Sequence, residues 1–212
     1  MLVTAKKKKL VTPSLERFYP EADEDLGFTA SDMPDPMKNQ HYKRYGVVAS
    51  LLQKNVTMAP NVKIADIGCG SGYGTNILKL HFGKNKVYGV EPNDVAREYA
   101  NRHYPECEFV NDVDRKSQIL VFVESLQFMS PAEAAGYLRA DEVQMVIVVA
   151  SLIQNPNYDF HVVNFKTQAD IQAIMTRNML SVEQEQIELG VRFHTGETGD
   201  QYYGIYVPVT VG

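Results

Sequence analysis

The stretch KIADIGCGSGYGTNI, Lys63 to Ile77, carries one carboxylate, Asp66, and four glycines on alternate positions, Gly68, Gly70, Gly72 and Gly74. An apolar run leads into it, so the glycines follow a strand. Missing side chains let a backbone approach a ligand closely and take left-handed torsions. The start of the following helix offers free amide donors. A second acid, Glu91, ends the run VYGVE, and a third, Asp112, follows FVN. All three acids stand at the C-terminal ends of apolar runs and are expected to face one crevice, the ligand-binding place of open α/β sheets. Glu91 is placed to accept hydrogen bonds from both hydroxyls of a ribose. Asp112 can accept from an adenine amino group. The pattern is D-x-G-x-G-x-G. It does not fit the G-x-G-x-x-G of nicotinamide sites, and no G-K-[ST] marks a triphosphate loop.

Other reactive side chains form no set. His41, His81, His103, His161 and His194 are scattered without metal-ligand spacing, so no metal is expected. Cys69, inside the glycine loop, reads as a small packing residue. With Cys107 it makes no disulfide framework, which fits a reducing, intracellular setting.

Holding three acids at strand tips takes alternating strands and helices, hence a mostly parallel sheet with helices on both faces. Apolar residues at helical spacing predict a helix over Lys38 to Lys54. Strands are expected at Val62 to Ile67, Lys86 to Val90, Glu108 to Val110, Gln118 to Val123 and Gln144 to Ala150. Helices are expected at Gly72 to Phe82 and Asn93 to Tyr104, after Ser130 with Pro131, and from Thr167 to about Leu180. Val182 to His194 and Tyr202 to Val209, joined by TGETGD, predict a C-terminal antiparallel hairpin at the sheet edge. Residues 1–37, broken by Pro13, Pro20, Pro34 and Pro36, read as a partly irregular arm. Residues 38–212 read as a single domain.

One connection is short. Only seven residues separate Val110 from Gln118, and a βαβ crossover takes about a dozen. Seven extended residues reach about 24 Å. That just spans about three strand spacings and the return along one strand. The crossover helix is therefore expected to be missing or a single turn. One sheet face would then be partly bare, inviting a homodimer or a protein partner.

The chain has 212 residues, 44% hydrophobic and 22% charged, with a formal net charge of −5. That fits a globular protein and weighs against a nucleic-acid binder driven by overall charge. No apolar run approaches a membrane span, so a cytoplasmic location is expected. The run Lys6 to Lys9 reads as a solvated tail, with a phosphate-binding arm as the sharper alternative.

ADIGCGSGYG, VYGVEPN and FVNDV resemble the first three motifs of class I S-adenosylmethionine-dependent methyltransferases, over roughly Lys63 to Ala150. The resemblance implies a Rossmann-like methyltransferase sheet that binds S-adenosylmethionine and releases S-adenosylhomocysteine. It implies that Gly68, Cys69, Gly70 and Gly72 wrap the methionine part, that Glu91 and Pro92 hold the ribose, and that Asp112 with Val113 faces the adenine. Asp66 and Glu124 complete that set.

The segment after the fourth strand, VFVESLQFMSPAEAAGYLR, lines the methyl-acceptor pocket in this family. It lacks the [ND]-P-P-[YF] of adenine amino-methylating enzymes. It and the last strand, QYYGIYV, show a weaker similarity to messenger RNA cap guanine-N7 methyltransferases. That implies capped RNA as substrate and a viral origin, which would place the chain in a host cytoplasm. Guanine N7 needs no general base, only in-line positioning. On this reading Glu124, Phe128 and Tyr203 are catalytic, and Gln127, Phe128, Glu197, Tyr202, Tyr203 and Tyr206 contact the substrate, the aromatic rings by stacking. Two alternatives stand: a small-molecule methyltransferase, and a non-catalytic scaffold of the same fold.

Overall fold

The computed structural model describes residues 40–56, 59–139, 142–152, 162–192 and 198–209. Lys6 to Lys9 and Glu197 lie outside them. The described strands are β1 (Lys63–Ile67), β2 (Lys86–Val90), β3 (Glu108–Val110), β4 (Ile119–Val123), β5 (Met145–Leu152), β6 (Leu180–Arg192) and β7 (Thr198–Pro208). The described helices are α1 (Gln40–Asn55), α2 (Tyr73–His81), α3 (Asp94–His103), α4 (Pro131–Leu138) and α5 (Gln168–Arg177).

The strands form one sheet in the order β3-β2-β1-β4-β5-β7-β6. β1 to β5 pair in parallel, and β7 runs antiparallel between β5 and β6. So the hairpin's second strand lies inside and its first strand forms the edge. β4 and β5 are buried along their whole length, as continuous apolar runs in central parallel strands must be.

Helices cover both faces. Tyr45, Val48 and Leu52 of α1 and Ile77 and Leu78 of α2 pack against Ile64, Val121 and Ile147. On the opposite face Ala134 and Leu138 of α4 and Ile171 and Met175 of α5 pack against Leu120, Phe122 and Val148. The caps are local. Asn93 Oδ1 accepts from the Val95 and Ala96 amides at the start of α3. At α4, Ser130 and Glu133 bond each other's amides.

Between β3 and β4 the chain crosses without a helix. Among the described residues, Tyr88 covers the face expected to be bare at that gap. Its phenol accepts from the Asp114 amide at 3.0 Å and bonds the Ser117 hydroxyl, and Lys63 pairs with Asp114. Tyr88, Ala65 and Val90 beneath the link are buried. One large side chain and a tied-down loop do the covering that a helix would otherwise do.

The four alternating glycines divide by purpose. Gly68, Gly70 and Gly72 have φ of 71°, 54° and 85°, torsions that a side chain disfavours. Gly74 lies within α2, and a Cβ there would sit 1.8 Å from the Tyr45 ring. It is a gap for Tyr45, not a ligand contact.

Candidate functional site

The glycine loop is pinned to the end of β2: the Gly68 and Cys69 amides donate to the Val90 carbonyl at 2.8 and 3.1 Å. Beyond it Glu91 forms a bridge. Its Oε2 accepts from the Gly70 amide at 2.9 Å and its Oε1 from the Asn93 amide at 2.8 Å. Arg97 donates to the Glu91 carbonyl, which steadies the corner from α3. Burial raises the Glu91 pKa, while the Asn93 and Gly70 amides pull it down. Each carboxylate oxygen keeps room for a further hydrogen bond.

The loop also abuts the segment after β4. A Cβ built on Gly68 would lie 2.6 Å from Ser125 Cβ and 3.5 Å from Met129 Cε. This is a cradle that a side chain at residue 68 would fill. Ser125 Oγ is buried beside it without a hydrogen-bond partner among the described residues. A side-chain-free bend, a bridging carboxylate and an unsatisfied hydroxyl fit an adenosyl sulfonium with an amino-acid tail.

Asp66 departs from its expected place. It is fully buried on the helix-covered face. Its carboxylate accepts from Tyr45 Oη at 3.0 and 3.1 Å and from Thr75 Oγ1 at 2.7 Å. It supports the loop from below, through α1 and α2, and lines no crevice, because a β1 side chain at this position points into the helix layer. Burial pushes its pKa up to about 7 against the Thr75 and Tyr45 hydrogen bonds, with the Glu91 charge adding to the rise. The ordinary value, and so that of the unfolded chain, is about 3.9. A folded pKa raised above the unfolded one means stability that is complete below about pH 4 and is lost as the pH rises through about 7. Asp66→Asn removes that dependence. Its stability relative to wild type should improve between pH 5 and 8, by a difference on the order of 4 kcal/mol at most. Urea unfolding across that range checks this, and parallel wild-type and variant profiles would refute it.

Asp112 is exposed just past β3, and its Oδ1 accepts from the Val113 amide at 2.8 Å. The Tyr137 phenol of α4 feels the charges of both Asp112 and Glu91. The Tyr137 phenol is pushed up to about 12, first by burial and then by the charges of Asp112, Glu91 and Glu133. Asp112, Glu91 and Tyr137 thus share one end of the sheet. Val113 packs against the α4 and α5 core, and Pro92 is exposed. Cys69 is buried, and its thiol is raised well above the ordinary value, chiefly by burial. It is a packing residue.

Glu124 is the centre of a second cluster. It ends β4 with φ of 52°, which is uncommon for a residue with a side chain. Its carboxylate accepts from Gln127 Nε2 at 2.7 Å, Ser151 Oγ at 2.7 Å, the Ser151 amide at 3.2 Å and Gln201 Nε2 at 2.7 Å. Arg44 Nη2 lies 3.3 Å away. The register that sets Ser151 opposite Gln201 brings β5 and β7 to it, and α1 delivers Arg44. The Arg44 guanidinium is lowered from its ordinary value by burial, which the Glu124 charge opposes. Five groups therefore hold one carboxylate in an unusual backbone conformation.

Tyr203 reaches this cluster indirectly, donating from its hydroxyl to Gln201 Oε1 at 3.3 Å. Tyr202, Tyr203 and Tyr206 are at most 2% exposed. They cannot stack on a substrate as expected, because alternate β7 side chains enter the two helix-covered layers of the core. Tyr202 and Tyr206 bond each other through their hydroxyls over Gly204, where a Cβ would strike both rings. Gln127 is buried on a single 3-10 turn, Leu126–Phe128, and Phe128 on the same turn is half-buried. Sequence reasoning missed Tyr45, Thr75, Ser125, Tyr137, Ser151 and Gln201, and it left Arg44 without a role. Only the helical spacing around Tyr45 hinted at any of them. No group of three or more His, Cys, Asp or Glu among the described residues could hold a metal.

Residues 65–128 match a family model described as a methyltransferase domain. A search of curated proteins returns no match. Solved structures share the fold. An S-adenosylmethionine-dependent methyltransferase from Methanosarcina mazei is 16% identical with a TM-score of 0.55, covering 72% of this chain and 94% of its own. DesVI from Streptomyces venezuelae is 15% identical with a TM-score of 0.58, covering 89% and 100%. Geranyl diphosphate C-methyltransferase from Streptomyces coelicolor, solved with S-adenosylhomocysteine, is 14% identical with a TM-score of 0.57, covering 84% and 88%.

Proposed function

We propose that this chain is an S-adenosylmethionine-dependent methyltransferase that transfers the methyl group to a small molecule, a reading supported by its fold and its methyltransferase-domain match. The observation that carries the cofactor reading is the Glu91 bridge between the Gly70 and Asn93 amides at the end of β2. Glu91 would hold the ribose, Asp112 would face the adenine, and the bend at Gly68 with Ser125 would take the methionine part. When bound, the cofactor supplies a methyl group on a sulfonium, open to in-line attack.

The residues nearby position a nucleophile and do not generate one. Asp66 is sealed beneath the loop, and Glu124 is occupied by Arg44, Gln127, Ser151 and Gln201. Neither carboxylate is turned to an acceptor. Among the described residues these two carboxylates are engaged elsewhere, which supports an acceptor atom nucleophilic in its own neutral form, with the gain coming from orientation.

Of the stacking residues that the RNA-cap reading offers, Phe128, Tyr202, Tyr203 and Tyr206, the three tyrosines are core residues. Small-molecule methylation is favoured by the chain's net charge of −5. The geranyl diphosphate C-methyltransferase with the same fold, whose name gives a small molecule as its substrate, points the same way. The test is methyl transfer from radiolabelled S-adenosylmethionine to a panel of small metabolites and a GpppN-capped oligonucleotide. Label is expected in a small molecule. Label in the capped RNA alone would overturn the reading.

A further inference from the structure

We infer that the side-chain oxygen of Gln127 recognises the methyl acceptor, and that the acceptor presents an N–H or O–H donor to it. This rests on the proposed methyl transfer to a small molecule. Gln127 is 4% exposed, and its Nε2 donates to Glu124 Oε2 at 2.7 Å. A carboxylate there accepts only a donor, so turning the amide over would set two acceptors face to face. The neighbouring charge thus fixes which end of the amide is which. Oε1 lies on the other branch of the planar group, buried, with no hydrogen-bond partner among the described residues.

A buried carbonyl oxygen without a donor is costly and rare. The five residues from Ser125 to Met129 hold a second buried polar atom without a partner among the described residues, the Ser125 hydroxyl. Both ends of this segment touch the position of a Gly68 Cβ, Ser125 Oγ at 3.3 Å and Met129 Cε at 3.5 Å. The segment that carries Gln127 is therefore clamped against the glycine loop, where a ligand arrives. The bond from Nε2 to the carboxylate also polarises the amide and strengthens Oε1 as an acceptor. An ether oxygen, a carbonyl or a fully substituted nitrogen offers it only lone pairs and is repelled. A neutral amine donates one hydrogen to Oε1, keeps a lone pair for the methyl group and, after transfer as an ammonium, loses its proton to solvent; a hydroxyl can make the same hydrogen bond to Oε1.

The cofactor's own ammonium is the competing donor. We assign the acceptor, because the atoms nearest a Gly68 Cβ belong to Ser125 and Met129, the two ends of the segment, while the Gln127 amide is turned to Glu124.

Gln127→Met, close in shape but without the oxygen, tests the assignment on the full chain, with thermal unfolding as the check on folding. S-adenosylhomocysteine is titrated first by calorimetry. Wild type and variant should bind it within about threefold, and a tenfold loss in the variant would give Oε1 to the cofactor and overturn the inference. Failure of both proteins to bind it would instead remove the methyltransferase reading on which the inference rests. With S-adenosylhomocysteine saturating, small primary and secondary amines and alcohols are then compared with their fully methylated counterparts. Wild type should favour the N–H or O–H member of a pair at least tenfold, since a buried partner left unpaired rejects the analogue lacking the group. Gln127→Met should show no such preference. Equal binding of both members by wild type, a preference that survives in the variant, or a panel in which nothing binds overturns it.

Discussion

Glu91→Ala should bind S-adenosylmethionine at least about 100-fold more weakly than wild type while its unfolding stays cooperative. Two losses combine. The proposed charged acceptor for the ribose hydroxyls disappears, and hydrogen bonds to charged groups contribute about 1.5–3 kcal/mol each. The Gly70 and Asn93 amides also lose their shared partner, so the loop is no longer held in its ligand-ready shape. Glu91→Gln separates the two effects. It keeps the size but has one oxygen where two amides need acceptors, so it should fall between wild type and the alanine variant. Calorimetric titration checks the order. A Glu91→Ala variant that binds within threefold of wild type would mean that the bridge organises the loop for something other than a ribose.

The second large effect concerns stability. Glu124→Ala leaves the Arg44 guanidinium, 2% exposed, without its carboxylate. Breaking a buried pair by removing one partner costs about 3–5 kcal/mol. Arg44→Met should cost less, because Glu124 retains Gln127, Gln201 and both Ser151 donors. Combining the two should cost clearly less than their sum, since no uncompensated charge remains. Urea unfolding of the single and double variants measures this. Additivity within about 0.5 kcal/mol would show that the two residues are not coupled. The pair joins α1 to β4, β5 and β7, so the same substitutions should loosen the acceptor side of the site while sparing the Glu91 bridge.

Why some features were legible and others were not follows from how far each depends on distant chain. The Gly68 to Gly72 bend, the strand at Lys86 to Val90 and the Ser130 cap with Glu133 are local, so spacing reveals them. The missing crossover helix was legible from chain length alone. What fills its place, Tyr88 with Asp114 and Ser117, is a long-range contact without a local signature. Asp66 misled because its position in the motif says nothing about which way its side chain points; Tyr45 and Thr75 decide that. The tyrosines of QYYGIYV misled for a related reason. A tyrosine-rich last strand looks like a stacking surface, but that strand lies inside the sheet. The signal was there in the contrast with its hairpin partner: LSVEQEQIELGVR carries the charges that suit an edge. Arg44 and Glu124, far apart in the chain, meet only once α1 packs on the sheet, and no spacing rule joins them.

The account stands on the claim that the bend after β1 and the carboxylate after β2 together enclose an adenosyl sulfonium. Equilibrium dialysis of the full chain against radiolabelled S-adenosylmethionine tests it most directly. Saturable binding of one molecule per chain, competed by S-adenosylhomocysteine and lost in Glu91→Ala, is the predicted result. Absence of any retained label at millimolar cofactor would contradict it.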